Sequence, residues 1–345
     1  MNKEDYLTGS NFATKSDIVF SEFISFEEYK KKDLDEHEIL FKTDEFLLYK
    51  LTKFKLSENQ SIFCNNMVLK DLFWHLSKVN NLRNIKLITH QTDELITKEI
   101  YRSKPQCISE WYSVNVEHKA DNLFPLPLGL ANIFQKNYLN PLSINGISEF
   151  DSKKLDSKLY INFKPSTNSK ERNDLYDKLK NYSFVEVDEP NLSVEDYTNK
   201  LKSHSFILAP WGNGIDSHRL WESLYLGKIP ITKYHHTYTA AKNLPVMFVD
   251  DFKEISENDL LNYIKNIDQN FNFELLNINE WFKLINMKTM NSSEEKDFYE
   301  PISRVKINKL IFLLKMFLKS KFKIFQFYLN KGKKIPRKIY DKLAK

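Results

Sequence analysis

The sequence predicts an α/β protein of two Rossmann-like, doubly wound units in series, followed by a basic helical tail. Three observations predict it. Short apolar runs alternate with helical stretches at intervals of roughly 20–25 residues, the spacing of parallel strands joined by crossover helices. A chain of 345 residues is long enough for two cores at roughly 100–200 residues each. A polar, irregular stretch at 140–157 separates two series of such runs and reads as a linker. The expected units are 1–150, 151–301 and a tail at 302–345, the first two facing a ligand cleft.

In the first unit, residues 61–64 form a short strand candidate and 69–76 a helix. Residues 84–90 read as a strand ending in polar residues, and 111–115 as another. Pro125 and Pro127 force an extended or turning path through 123–130. In the second unit, strands are expected at 158–163, 184–187, 205–209, 229–232 and 246–249, and helices at 168–179 and 193–202.

Composition narrows the class. Hydrophobic residues make up 41% and charged residues 28% of the chain, which excludes a disordered protein. Two cysteines, Cys64 and Cys107, exclude a disulfide framework and a cysteine-based zinc site, and fit a reducing cytosol. The mixed charge at Met1–Asp5 with no apolar run behind it predicts no secretory signal, and no uncharged stretch approaches the ~20 residues of a membrane span.

The net charge is unevenly spread. Residues 302–345 carry fourteen Lys or Arg against Asp341 alone, a formal +13; with +5 overall, the rest of the chain is −8. An acidic body with a basic tail does not resemble a nucleic-acid binder, and no recognition motif accompanies the charge. No Gly or Pro interrupts 303–331, so a long helix is allowed. On a helical wheel Lys309, Lys315, Lys319 and Lys323 fall on one half, and Leu310, Leu314, Phe317, Leu318 and Phe325 on the other. Phe312 and Met316 break that segregation, and Lys321 sits on the apolar side. A basic amphipathic helix of this kind suits an anionic membrane surface. A C-terminal helix packed on the body with solvated lysines is the alternative, and the two can coexist.

The chemistry concentrates at 205–231. Three of the chain's seven glycines, Gly212, Gly214 and Gly227, lie within it. A strand precedes the segment and its second half is helical. Gly212 and Gly214 are expected to permit left-handed turns and close backbone approach. Asp216 or Ser217 is a good N-cap, and Gly227 stands where a C-terminal cap belongs. A glycine-rich loop entering a helix binds anions through free N–H groups and the helix dipole. Arg219, in the first turn, adds a fixed cation suited to phosphate. Glu222, three residues on, is placed to accept hydrogen bonds from ribose hydroxyls. Together they describe a nucleotide diphosphate clasp. The plain alternative is a tight turn with Arg219 and Glu222 paired. Trp221, Leu224 and Tyr225 read as core contacts of the clasp helix.

This stretch resembles the C-terminal motif of exostosin-type glycosyltransferases (family 47 and its bacterial and ribitol-xylosyltransferase-like relatives). The match runs through Pro210, Gly212, Asn213, Gly214, Asp216, His218, Arg219, Trp221, Glu222, Leu224, Gly227, Ile229 and Pro230. Trp211 stands where relatives often carry Arg, and Lys228 where they often carry a small residue or Cys. Weaker likenesses lie at 87–93, 126–132, 160–172 and 244–251. The resemblance implies a GT-B fold, a nucleotide-sugar donor, expected to be a UDP-sugar, and inverting transfer with no cofactor and no obligatory metal. The acceptor would be a hydroxyl of a cell-surface polysaccharide or glycolipid, met at the inner face of the membrane. The alternative is a non-catalytic nucleotide- or sugar-binding partner in a glycan assembly complex.

An inverting transferase needs a base for the acceptor hydroxyl. Asp93 and His90 follow a strand of the first unit, where such sites lie; Asp93 is favoured over His90. The simpler reading of Asp93 is a helix cap. The leaving diphosphate needs cations or N–H groups: Arg219 and the backbone at Gly212, Asn213 and Gly214, with Arg172 second and Lys164 weaker. Asp216, His218 and Asn162 complete the donor side; His218 reads equally as a structural histidine. The His235–His236 pair lacks a carboxylate at ligand spacing, so no metal is expected. Asp250 and Asp251 read as structural.

Overall fold

The computed structural model describes residues 1–268, 270–286 and 295–330, with side chains of the final helix as far as Phe322. Its strands are β1 Ile18–Ser25, β2 His37–Lys42, β3 Phe46–Leu51, β4 Lys53–Leu56, β5 Ser61–Asn65, β6 Ile85–His90, β7 Ile108–Ser113, β8 Leu123–Pro125, β9 Leu159–Ile161, β10 Val185–Val187, β11 Phe206–Leu208, β12 Ile229–Lys233, β13 Met247–Val249 and β14 Lys296–Tyr299. The fold is α/β. A seven-stranded mixed sheet has the order β2-β3-β1-β5-β6-β7-β8, and a five-stranded sheet the order β10-β9-β11-β12-β13.

In the larger sheet β1, β5, β6, β7 and β8 run parallel, and β3 pairs antiparallel with both β1 and β2. Every residue of β5 and β6 is buried, as expected of parallel strands covered on both faces. The smaller sheet is parallel throughout. After β9 the chain goes outward to β10, then crosses back to β11 on the other side. The carboxyl ends of β9 and β11 therefore flank the point where strand order reverses, the place ligands take in open α/β sheets. A single hydrophobic cluster joins the two sheets, with Ile88 and Val114 from the first and Ile207, Trp221 and Leu224 from the second.

The strands read from sequence at 61–64, 84–90 and 158–249 are present within a few residues. Residues 168–179 form two short helices, Ser169–Arg172 and Leu175–Leu179, broken at Asn173 and Asp174, two weak helix formers. The first sixty residues hold β1 to β4, which the sequence did not disclose. Buried charge hides them. Glu22 in β1 accepts from Tyr49 Oη at 3.0 Å and pairs with Lys32. Lys50 in β3 is fully buried and pairs at 2.7 Å with Asp71 and with Glu300.

The expected boundary at 301 lies too far along the chain. From about Phe273 the chain returns to the first sheet. Asn277 bridges Tyr6, the helix Ile278–Asn286 buries Trp281, Phe282 and Ile285 among residues that include Phe12, and β14 pairs antiparallel with β4. No glycine or proline marks the crossing, so it carries no punctuation that a sequence reading could use. The stretch read as a linker carries no strand or α-helix, yet it is held down. Ile144 is buried, Ser148 N–H donates to Tyr225 O and Gly146 N–H to Tyr6 Oη.

The tail forms the helix Ile302–Asn330. Residues 331–345 of the expected tail lie outside the described residues, as do the side chains of Lys323 and Phe325. Phe312 and Met316, the two that spoiled the sequence pattern, are the packing contacts: Phe312 is 7% exposed, and both join the cluster beneath β2 and β3. Lys309 pairs with Glu38 of β2, Asn308 donates to Asp71 and Glu300, and Lys319 reaches Glu94 at 3.5 Å. Among the described residues no helix is long and apolar enough to cross a membrane.

His75 carries an acid sensitivity. It sits among Phe20, Phe54 and Phe298 with Nε2 unpartnered, and burial pushes its pKa down to about 3. The unfolded chain takes up a proton near pH 6.5 that the folded chain refuses, so His75 costs stability as pH falls from 6.5 towards 3. His75→Phe is expected to remove this loss, worth about 2 kcal/mol at pH 5. Urea titrations at pH 5 and pH 7.5 check it: the gain should appear at pH 5 and fade at pH 7.5.

Candidate functional site

A cleft of about 480 Å³ lies between the carboxyl ends of the two sheets. From the larger sheet it receives His90, at the end of β6, and the loop that follows with Asp93. From the smaller sheet it receives Arg172, the loop Gly212 to Gly214, and Asp216, His218, Arg219 and Glu222. Asn162 does not reach it. That side chain is buried beside β9, donating to Tyr160 Oη at 3.3 Å and Glu189 O at 3.2 Å.

The loop after β11 is shaped by close approach rather than by left-handed backbone. Neither Gly212 nor Gly214 has a positive φ. A Cβ on Gly212 would lie 3.2 Å from Arg172 Nη2, and one on Gly214 2.9 Å from the Asn115 amide. Gly227 does take the left-handed conformation, at φ +67°, and ends the helix His218–Tyr225 as expected.

Ser217 is the N-cap of that helix, without a side-chain bond to the backbone. Its hydroxyl has no partner among the described residues and lines the cleft. The N–H groups of His218 and Arg219 also lack hydrogen-bond partners among the described residues. Asp216 serves the fold. Its carboxyl accepts from Leu128 N–H at 2.9 Å, Ser217 N–H at 2.8 Å and Trp221 Nε1 at 2.9 Å, tying the helix to the larger sheet's last loop. Burial pushes its pKa up to about 7, against the pull of those donors.

Two guanidinium groups converge here. Arg172 is 5% exposed and spends its donors on loop backbone: Nε to Trp211 O at 2.8 Å, Nη2 to Pro210 O at 2.5 Å and Nη1 to Thr167 Oγ1 at 2.7 Å. Burial, with the charge of Arg219 acting in the same direction, lowers its pKa to about 10. Arg219 Nε donates to Tyr197 Oη at 3.1 Å, and Tyr197 Oη donates to Glu222 Oε2 at 2.8 Å. Burial opposes the Arg219 charge, but Tyr197 and Glu222 outweigh it and raise the pKa. Among the described residues neither arginine makes an ion pair with a carboxylate, and the terminal nitrogens of Arg219 have no partner. Two cations with free amides beside them form a cradle for an anion.

The opposite wall offers the proton chemistry. His90 is committed to the fold: Nε2 donates to Pro127 O at 3.0 Å, Nδ1 accepts from Gln91 N–H at 2.7 Å, and burial pushes its pKa down to about 3. In this arrangement it has no nitrogen for a substrate proton. Asp93 is exposed, has no hydrogen-bond partner among the described residues, and caps no helix, since Thr97 caps the next one. His218 donates Nδ1–H to Gly129 O at 2.7 Å, which leaves the Nε2 lone pair for the cleft.

Sequence reasoning missed Tyr197, Gln91 and Asn115. Gln91 and Asn115 hold positive φ, +60° and +54°, just beyond β6 and β7. Gln91 bonds both backbone groups of Phe23, and Asn115 links Thr92 O to Asp216 N–H across the two sheets. Asn tolerates left-handed backbone, and such strain gathers at binding sites; an Asn closing an apolar strand is the signal that was available. Tyr197→Phe is expected to free Arg219 Nε and leave Glu222 without its donor. Anion affinity should fall about tenfold at a stability loss of about 1 kcal/mol. Calorimetric titration with inorganic pyrophosphate, beside a melting curve, checks both.

Among the described residues no group of three or more His, Cys, Asp or Glu could hold a metal ion. His235 Nδ1 accepts from Thr237 N–H and Asp251 caps a turn. No family model and no curated protein matches the chain.

Proposed function

We propose that the chain is an inverting glycosyltransferase of exostosin-like, GT-B type that takes its sugar from a nucleotide-diphosphate donor, a UDP-sugar. The observation that carries this reading is the pair Arg172 and Arg219, unpaired with any carboxylate among the described residues, beside free amides at the strand-order reversal and across a cleft from Asp93. The diphosphate lies against Arg219 and the amides of His218 and Arg219, with Arg172 holding the loop beneath. Glu222, one oxygen engaged by Tyr197, offers the other to the ribose. Asp93 removes the acceptor proton as the anomeric carbon is attacked, and the arginines stabilise the charge developing on the leaving diphosphate. His218 Nε2 accepts a hydrogen bond from the transferred sugar. The acceptor is a hydroxyl of a cell-surface glycan or glycolipid, reached by peripheral attachment of the tail to the inner face of an anionic membrane.

A melting screen against nucleotides and nucleotide sugars tests the donor. A ligand at 100 times its Kd adds about 2.7 kcal/mol. One nucleotide family should raise the melting temperature of the wild type and not of Arg219→Ala. If no nucleotide shifts the wild type, the reading falls.

A further inference from the structure

The helix Ile302–Asn330 is apolar on two opposite sides. At about 100° per residue, Val305, Phe312 and Met316 form a stripe that faces the body, with Asn308, Lys309 and Lys319 along its borders. Roughly half a turn away lie Leu310, Leu314, Phe317 and Leu318, with Ile307 and Phe322 beside them. All six are exposed, Leu310 at 69% and Phe322 at 60%. Lys321 also falls on this side, near its far end; an apolar face of this size on a charged helix is rarely left to water. Lys306 and Lys315 stand along its two edges, and the helix contains no Asp or Glu.

We infer that this outer face seats on an anionic bilayer as a rigid part of the body, and that it turns the Asp93 rim of the cleft towards the membrane. The charge selects the occupant. A second copy would bring two rows of lysines together, whereas an anionic surface neutralises them as the apolar face inserts. Rigidity follows from the docking side: Lys309–Glu38, Asn308–Asp71 and buried Phe312 fix the helix to β2 and the body, and Lys319 ends against Glu94, the neighbour of Asp93. The helix thus runs from the buried Lys50–Glu300 pair to the lip of the cleft. A substrate held in the membrane plane meets the cleft at its acceptor side. This deepens the peripheral attachment proposed above by assigning its face and orientation, and it stands apart from the glycosyl-transfer reading.

Flotation of the whole chain with phosphatidylcholine–phosphatidylglycerol vesicles, against phosphatidylcholine alone, tests the face. Binding should be at least tenfold stronger to the anionic vesicles and fall with salt. The double variant Leu314→Glu/Phe317→Glu should lose it with an unchanged melting temperature, because both residues are exposed. Equal binding by the variant overturns the assignment. So does a wild-type dimer in sedimentation that the variant abolishes while neither binds vesicles. Orientation is read by a fluorophore on Asp93→Cys or Lys180→Cys, the native cysteines being buried. Nitroxide lipids should quench the Asp93 position and spare Lys180, which lies on the far side of the smaller sheet. Equal quenching, or the reverse, overturns the orientation. No nucleotide or transfer assay enters, so this result and that of the donor screen are independent.

Discussion

Arg172→Met is expected to lower the unfolding free energy by about 3 kcal/mol and to take anion binding with it. Arg219→Ala is expected to lose anion binding and leave the fold standing. The two arginines occupy one cradle but are held differently. Arg172 is buried and its guanidinium donates to Pro210 O, Trp211 O and Thr167 Oγ1. Removing it strands Pro210 O and leaves Trp211 O with the longer bond from Asn168 Nδ2 at 3.3 Å, so the loop that carries Gly212 loses its main tie. Arg219 is half-buried, and its one side-chain hydrogen bond among the described residues goes to Tyr197. Its loss leaves Tyr197 and Glu222 bonded to each other. Urea unfolding of both variants, beside pyrophosphate titration, separates the two roles. An Arg219→Ala protein that still binds pyrophosphate with wild-type affinity would place the anion elsewhere.

That distinction also marks what the sequence could disclose. The block from Pro210 to Gly227 is legible because backbone chemistry dictates it: a strand end, two residues without Cβ, a capped helix and a glycine at the far cap. Arg219 and Glu222 fall on one face of that helix by spacing alone. Arg172 is legible as a cation near the site but not as the pin of the loop, because the loop carbonyls it holds, Pro210 O and Trp211 O, lie some forty residues on. Tyr197 reads as one more aromatic on a short helix until the smaller sheet brings it between Arg219 and Glu222. In sequence Asp93 is favoured over His90 without either being settled; burial separates them, closing both nitrogens of His90 and leaving Asp93 in water. β1 to β4 stay hidden because Glu22 and Lys50 break the apolar pattern, and their compensation comes from Lys32 and from Glu300, 250 residues from Lys50. The tail shows the converse. Phe312 and Met316 look like flaws in an amphipathic helix until the body supplies their partner.

Asp93→Asn is expected to reduce the turnover rate by about 10²–10⁴ at unchanged donor affinity, the usual range for loss of a positioned general base. The substitution keeps shape and removes only the ability to take a proton. Asp93 is exposed and makes no hydrogen bond among the described residues, so the melting temperature should not move. Donor affinity should not move either, because the arginine cradle proposed for the phosphate lies on the other sheet. Activity measured at saturating donor, beside the nucleotide-induced melting shift, gives both quantities from one preparation. Full activity in Asp93→Asn would pass the proton to His218, whose Nε2 lone pair faces the same cleft and whose Nδ1–H is pinned to Gly129 O. A His218→Gln variant would then carry the loss. If the wild type shows no turnover with any donor while Arg219→Ala abolishes donor binding, the cleft binds a nucleotide without using it, and the chain acts as a binding partner in glycan assembly.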